Sequence, residues 1–375
     1  MYGLYFHIPF CLKKCKYCDF VSFDDSNLKK DAYLDALFNE MEEYKGEKAD
    51  TVFIGGGTPT SLSMVQLEKL LTKIRESFII SKDAEFTIEA NPKTLDAEKL
   101  SILKKYGVNR ISVGVQSFCN DELLKIGRVH TAEEAIDTVE LIKKSGFENF
   151  SIDLMSALPG QRFESFKKNL ETAVAINPKH ISCYSLIIEE NTPLFEEFNR
   201  GMLKLPDEDT ERKMYDYACE FLHENGYSQY EISNFSKNGY ESKHNIKYWE
   251  CREYIGMGLA AHSYYKGERF SNVDNLSEYI NGKYHMNNAE KLTLKDKIEE
   301  FMIMGLRMTK GISKKEFFHR FGMEPEQVYK KELERFLNTG FLQEKDGNIF
   351  LSPKGVSVSN SIMCEFAVAN LKING

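Results

Sequence analysis

Three cysteines within eight residues, Cys11, Cys15 and Cys18 in CLKKCKYC, set a C-x3-C-x2-C spacing near the start of a 375-residue chain. Thiolates are soft metal ligands, and so tight a spacing keeps all three on one short loop. A structural zinc site normally closes with a fourth Cys or His. None stands at finger-like spacing here, and His7, the nearest histidine, lies in an apolar run that reads as a strand. An iron–sulfur cube asks less of a loop, because each thiolate binds a different iron and the fourth iron stays open. An open iron implies a further ligand that binds metal directly.

Such a loop needs a scaffold, and the sequence supplies one. From residue 3 to about 188, short β-rich runs alternate with longer amphipathic stretches. The runs are GLYFHI (3–8), TVFI (51–54), EFTIEA (85–90), RISVGV (110–115), FSIDLM (150–155) and HISCYSLI (180–187). Between them, patterns such as LKKDAYLDALFNEMEEYK and AEEAIDTVELIKKSG bring apolar residues back every three or four positions. Six βα units in succession predict a parallel sheet, either open and doubly wound or a full or partial barrel. The unusual residues decide between these. The cysteines follow the first strand, GGGTPT (55–60) the second, EANP closes the third, QSF follows the fourth and ALPGQ the fifth. Barrels gather site residues from the C-terminal ends of many strands, whereas an open sheet concentrates them at one switch point. A partial barrel is therefore expected.

GGGTPT lacks the GK[ST] of a phosphate-binding loop, and its missing side chains would let backbone amides approach a charged ligand. Glu89 stands at a strand's C-terminal end, placed for ribose hydroxyls or an amine. Taken singly, Arg128 reads as a surface ion pair, and Glu89 and Asp153 as caps or salt-bridge partners.

Residues 207–225 predict another helix, and the aromatic-rich 227–270 region predicts added edge strands. The polar stretch around 281–291 reads as a linker. Helices near 295–308, 313–320 and 326–338 then precede a hairpin, GFLQEKDGNIFLS, with DG at its turn, and a last helix from about Pro353. The expected architecture is α/β: a partial (β/α)6 barrel over 1–205, a β-rich and helical extension over 206–290, and a C-terminal winged-helix-like α+β module over 291–375. From residue 291 on, 14 Lys and Arg against 11 Asp and Glu leave +3, too weak a field to argue for DNA, and a structural or protein-docking role is expected of the module.

Composition narrows the setting. Hydrophobic residues at 42% and charged residues at 28% are ordinary for a globular chain. A net charge of −8 disfavours general nucleic-acid binding, so small molecules or proteins are the expected partners. No run approaches a membrane span, and the first residues read as a strand and not as a signal peptide. Eight cysteines, three clustered and five scattered, do not make a disulfide framework in a chain of this size, so a cytoplasmic location is expected.

The cysteine loop, its position after a first strand and the aromatic Tyr17 before the last cysteine resemble the radical S-adenosylmethionine (SAM) family. That resemblance implies that Cys11, Cys15 and Cys18 bind a 4Fe-4S cluster whose fourth iron takes the amino and carboxylate groups of SAM. It also implies SAM contacts at Tyr5, Tyr17, Gly56, Gly57, Thr58, Glu89, Gln116, Arg128 and Asp153. The order HIPFC, CxYC, GGGTPT, EANP, GVQSF, LPGQ is similar, over nearly the whole chain, to the oxygen-independent coproporphyrinogen III oxidase family. Two features separate branches within it. Coproporphyrinogen dehydrogenases carry a further cysteine two places after the third, where this chain has Phe20; and HNIKYW (244–249) matches the HNxxYW signature of the HemW-type heme chaperones. The resemblance thus implies heme as a further ligand, with heme-acceptor proteins and an electron donor as partners, and His244 as axial ligand, with Cys251 or His262 as alternatives. The other activity it implies is oxidative decarboxylation of coproporphyrinogen III, against which Phe20 counts.

Overall fold

The computed structural model describes residues 1–24, 30–286 and 288–367. Six of its strands occupy the predicted runs: β1 (Tyr2–Ile8), β2 (Lys48–Gly56), β3 (Ile79–Ala90), β4 (Arg110–Gln116), β5 (Phe150–Ser156) and β6 (His180–Ser185). They pair in parallel in chain order. Alternate residues are apolar and fully buried, as Leu4 and Phe6 in β1, Ile111, Val113 and Val115 in β4, and Ile152 and Leu154 in β5, whereas Ser112, Gly114 and Asp153 between them line a cavity. The covering helices start where the sequence signals them. Ser63 and Thr131 form capping boxes with Gln66 and Glu134 at the heads of Met64–Ser77 and Ala132–Lys144.

The aromatic-rich region extends this sheet at both margins. β7 (Ser228–Glu231) and β8 (Asn234–Ser236) add antiparallel beyond β6. β9 (Tyr254–Met257) joins β1 in parallel on its free side, followed by antiparallel β10 (His262–Tyr265), β11 (Glu268–Ser271) and β12 (Glu290–Lys291). The order is β12-β11-β10-β9-β1-β2-β3-β4-β5-β6-β8-β7, twelve strands ending in β12 on one side and in β7 on the other, where the Tyr230 carbonyl accepts from Thr309 N–H at 3.1 Å. The expected partial barrel is thus a sheet that does not close on itself. Part of the predicted linker is structured: Glu290 and Lys291 form β12, and His285 hydrogen-bonds Asn272 at 2.9 Å.

The C-terminal module has its own core, with Phe301, Phe317, Leu333, Ile349 and Phe366 at its centre. Its three-stranded sheet carries the hairpin Leu342–Lys345/Asn348–Leu351, turned by Asp346 and Gly347 at φ 52° and 76°, as a type I′ turn demands. The single helix predicted over 326–338 is two, Pro325–Val328 and Lys330–Asn338, because Tyr329 leaves helical geometry at ψ 37°.

A buried carboxyl fixes the loop between β9 and β10. Gly256 and Gly258 have no room for a side chain: a Cβ would lie 2.1 Å from the His262 carbonyl oxygen and 2.6 Å from that of His7. Gly258, at φ 104°, donates its N–H to Glu40 at 2.8 Å; Asn272 Nδ2 donates to the same carboxyl at 2.6 Å, and the Tyr279 hydroxyl is a third donor. Burial nonetheless pushes Glu40 from 4.5 up to about 7. The folded chain therefore holds this proton at a pH where the unfolded chain has released it. Its stabilisation is complete below about pH 4.5 and is lost as pH rises through 7. Relative to Glu40→Gln, wild-type stability should fall between pH 5 and 8 by up to about 3 kcal/mol, read from denaturant unfolding at each pH. Parallel curves for the two proteins would sink this expectation.

Candidate functional site

The strand ends beyond β1 to β6 converge on one cavity of about 180 Å³. Its wall includes all three clustered cysteines together with Tyr17, Gly56, Gly57, Glu89, Gln116, Arg128 and Asp153. Residues as far apart in the chain as Cys11 and Tyr184 thus meet through topology alone. Asp19, Phe20, Asn91, Ser112 and Tyr184 complete much of the remainder.

The cysteine loop is held from two sides. Lys16 donates its N–H to the Ile126 carbonyl at 3.0 Å, accepts from Leu194 N–H at 2.9 Å, and pairs with Glu197 at 2.7 Å. Tyr17 packs beneath it against Ile126, Met155 and Leu158. On the other side the glycine segment binds the strand leading into the loop: Gly57 N–H donates to Ile8 O at 2.9 Å and Thr58 N–H to Phe10 O at 2.7 Å. Gly56 N–H donates to Glu89 at 3.1 Å. This corrects the expectation that these amides face a charged ligand, since all three already have protein acceptors. What the segment contributes is clearance. A Cβ on Gly57 would stand 3.0 Å from Cys11 Sγ, and one on Gly56 would stand 2.6 Å from the His7 ring. Thr58 is buried, and its hydroxyl donates to Cys11 Sγ at 3.5 Å.

Asn91, which the sequence reading passed over within EANP, organises the wall. Its Nδ2 donates to Thr58 Oγ1 at 2.6 Å, and its Oδ1 accepts from Arg128 at 2.6 Å. Arg128 also donates to Cys15 Sγ at 3.4 Å and to the Gly114 carbonyl, while its buried Nε has no partner among the described residues. Gln116 sits at φ 69°, after a register shift in β4 that turns its side chain toward the cavity, where Tyr184 donates to its amide oxygen at 3.1 Å. Ser112 donates to Asp153 at 3.3 Å.

The cavity wall is rich in acidic groups. Burial, then the neighbouring charge of Asp153, pushes Glu89 up to about 8. Burial also raises Asp153 and the thiols of Cys11 and Cys18. Three carboxyls, Asp19, Glu89 and Asp153, and three thiols thus share a wall with Arg128 and Lys13 as its basic groups. Among the described residues no three His, Cys, Asp or Glu converge on the volume of a single ion. A cube does not need that convergence, because its thiolates bind separate irons, so the cysteine set fits an iron–sulfur cluster. Gly56 and Gly57 line the same cavity, and their missing side chains let His7, Phe10 and Cys11 pack against them.

Three predicted residues lie elsewhere: Thr58 lines a small neighbouring pocket with Cys15, Asn91 and Arg128, and the other two are Tyr5 and His244. Tyr5 lines a second cavity next door, donating to His7 Nδ1 at 2.9 Å while His7 Nε2 donates to Val21 O at 2.9 Å. His244 lines neither cavity. It is 1% exposed, stacks on Phe53 at 5.3 Å, and has Thr51 Oγ1 at 2.9 Å from Nδ1 and the Tyr248 hydroxyl at 2.8 Å from Nε2. Glu85, also unremarked in the sequence, accepts the N–H groups of Lys243 and His244, each at 3.0 Å, at the head of helix Lys243–Trp249. The expectation of an iron-ligating His244 is corrected here: both ring nitrogens are committed within the core, and no lone pair is offered to a ligand.

Comparison with known proteins agrees with this architecture. Residues 5–173 match the radical SAM superfamily model, and residues 292–358 match the HemN C-terminal domain. The solved coproporphyrinogen III oxidase (HemN) of Escherichia coli, 24% identical, aligns with a TM-score of 0.84 over 98% of this chain and 90% of its own, which establishes a common fold. The fold is therefore that of a radical SAM protein. Proteins named heme chaperone HemW are 41% identical in Lactococcus lactis subsp. lactis, over 98% of this chain and 97% of theirs, and 40% in Bacillus subtilis, over 98% and 99%. The Escherichia coli HemW is 35% identical over 91% and 92%. The chain belongs to the HemW family of the radical SAM superfamily.

Proposed function

We propose that this protein is a cytoplasmic heme chaperone, which binds heme and passes it to acceptor proteins while its cysteine cavity carries a SAM-ligated 4Fe-4S cluster. The observation that carries the reading is a pair of adjoining cavities that share Asp19 and Phe20. One presents thiols and carboxyls; the other is mainly apolar and walled by aromatic rings, suited to a flat macrocycle. Membership of the radical SAM superfamily implies the cluster and SAM.

In this reading Cys11, Cys15 and Cys18 hold three irons. Gly56, Gly57 and Thr58 form the wall beside Cys11 against which SAM lies, and Glu89, Gln116, Arg128 and Asp153 orient it. The sulfonium and ammonium of SAM bring positive charge to a wall that otherwise forces Glu89 toward its protonated form. A reduced cluster with SAM at its open iron supplies one-electron chemistry. Tyr17 and Arg128 hold the loop that keeps Cys15 in place.

Because the SAM-type wall is assembled in one cavity, coproporphyrinogen III oxidation is the rival reading. Phe20, 63% exposed where the rival enzymes place a cysteine, weighs against it. Anaerobic reconstitution with iron, sulfide and SAM, hemin titration followed optically, and an assay of coproporphyrinogen III turnover separate the two. A saturable hemin spectrum without protoporphyrinogen IX formation is expected. Turnover without stable hemin binding would overturn the chaperone reading.

A further inference from the structure

We propose that heme is received in the aromatic cavity between β9–β10 and the C-terminal module, with the imidazole of His262 as the iron's axial ligand. The inference rests on the heme-binding reading and specifies its site.

The cavity has a volume of about 510 Å³, within the roughly 300 to 1,000 Å³ of most small-molecule pockets. Tyr5, Tyr248, Trp249, Tyr254 and Tyr264 supply flat surface, and Met304 reaches in from helix Leu294–Gly305 of the C-terminal module. Two histidines line it. His7 is bonded at both ring nitrogens, to Tyr5 and to Val21 O. His262 is exposed, and its ring has no hydrogen-bond, ion-pair or aromatic partner among the described residues. A free imidazole in an aromatic cavity is the arrangement a heme iron requires of an axial donor.

The other donors in the wall are worse placed. Burial pushes the Cys251 thiol up to about 12, whereas the thiolate is the form that binds metal. Burial likewise raises the hydroxyls of Tyr5, Tyr248, Tyr254 and Tyr264, which disfavours phenolate ligation.

His262 is also firmly mounted. It opens β10, which pairs along its length with β11, and its carbonyl closes over Gly256 too tightly for any other residue there. The adjacent glycine turn is anchored by Glu40. The two carboxylates of heme find a cation at the rim. Arg252 is half-exposed, and its ion pairs with Glu250 at 3.6 Å and Glu316 at 3.4 Å are loose enough to exchange. Arg269 is held more closely, at 2.6 Å from Glu300, and serves as wall.

The test uses the full-length reconstituted protein, with hemin as the probe. Wild type and Arg252→Glu should give the same hemin spectrum, with affinity weakened several-fold in the variant. His262→Gly should shift the spectrum and weaken binding at least tenfold, and added imidazole should restore the wild-type spectrum, an outcome that a merely structural role would not produce. His262 is exposed, and an unchanged melting temperature would verify that the variant is folded. If wild type binds hemin and His262→Gly binds it with the same spectrum and affinity, the axial assignment falls and the chaperone reading stands. If wild type fails to bind hemin, both fall.

Discussion

Cys15→Ser should abolish cluster assembly while leaving the fold intact. Three thiolates are the fewest that can hold three corners of the cube, and a serine hydroxyl is a poor substitute for the softer thiolate. The reconstituted variant should lose its broad visible absorption, and its iron and sulfide should drop roughly tenfold or more. Little else depends on this side chain. Cys15 is half-buried, and Arg128 keeps its bonds to Asn91 and Gly114 without it, so the melting temperature should barely move. Cys119→Ser makes a fair control, because Cys119 is equally half-buried but lies outside the cysteine cavity. Hemin binding provides the discriminating measurement. If the two cavities are separate receptors joined at Phe20, the cluster-free variant should still bind hemin at the aromatic cavity. Wild-type iron content in Cys15→Ser would sink the cluster assignment, and parallel loss of hemin would show that one ligand organises the site for the other.

The parallel strands were legible because each is a short apolar run bounded by turn residues, with an amphipathic helix after it. Their C-terminal ends carried the unusual residues, so the cysteine cavity could be drawn from topology before any coordinates. What could not be read was order at the margins. β9 lies beside β1 although some 250 residues separate them, and nothing local in YIGM specifies a parallel partner on that side. That pairing creates the second cavity, so the sequence pointed to an aromatic-rich region without showing that Tyr5 would face it. The glycine segment misled in a different way. Its composition suggested free amides, but the amides are consumed by Ile8, Phe10 and Glu89, contacts that depend on the neighbouring strands. Asn91 and Glu85 went unnoticed for the same reason: each acts by bridging segments remote in the chain.

Within HNIKYW the histidine has a different role from its aromatic neighbours: Tyr248 and Trp249 line the aromatic cavity, and His244 lies outside it. Placed on a helix, His244 and Tyr248 are four residues apart and therefore stacked on one face, which is the spacing of their 2.8 Å hydrogen bond. The helix also presents Lys247 to Asp50 at 2.8 Å, while Trp249 lies under Arg307, 4.6 Å from the guanidinium, where the main sheet meets the C-terminal module. His244→Ala should consequently cost stability. It empties a buried, stacked site and leaves the hydroxyls of Thr51 and Tyr248 without a partner, a loss of about 3 to 5 kcal/mol. Its pH dependence gives a second check. Burial pushes His244 from 6.5 down to about 3, so the unfolded chain takes up this proton first as pH falls. The neutral ring's contribution is present above about pH 6.5 and is lost on acidification, a slope opposite to that of Glu40 and absent from the variant. Hemin bound per folded molecule, and its spectrum, should remain those of wild type. A variant that melts normally but loses the wild-type hemin spectrum would reverse the assignment, making His244 the ligand and leaving His262 a bystander.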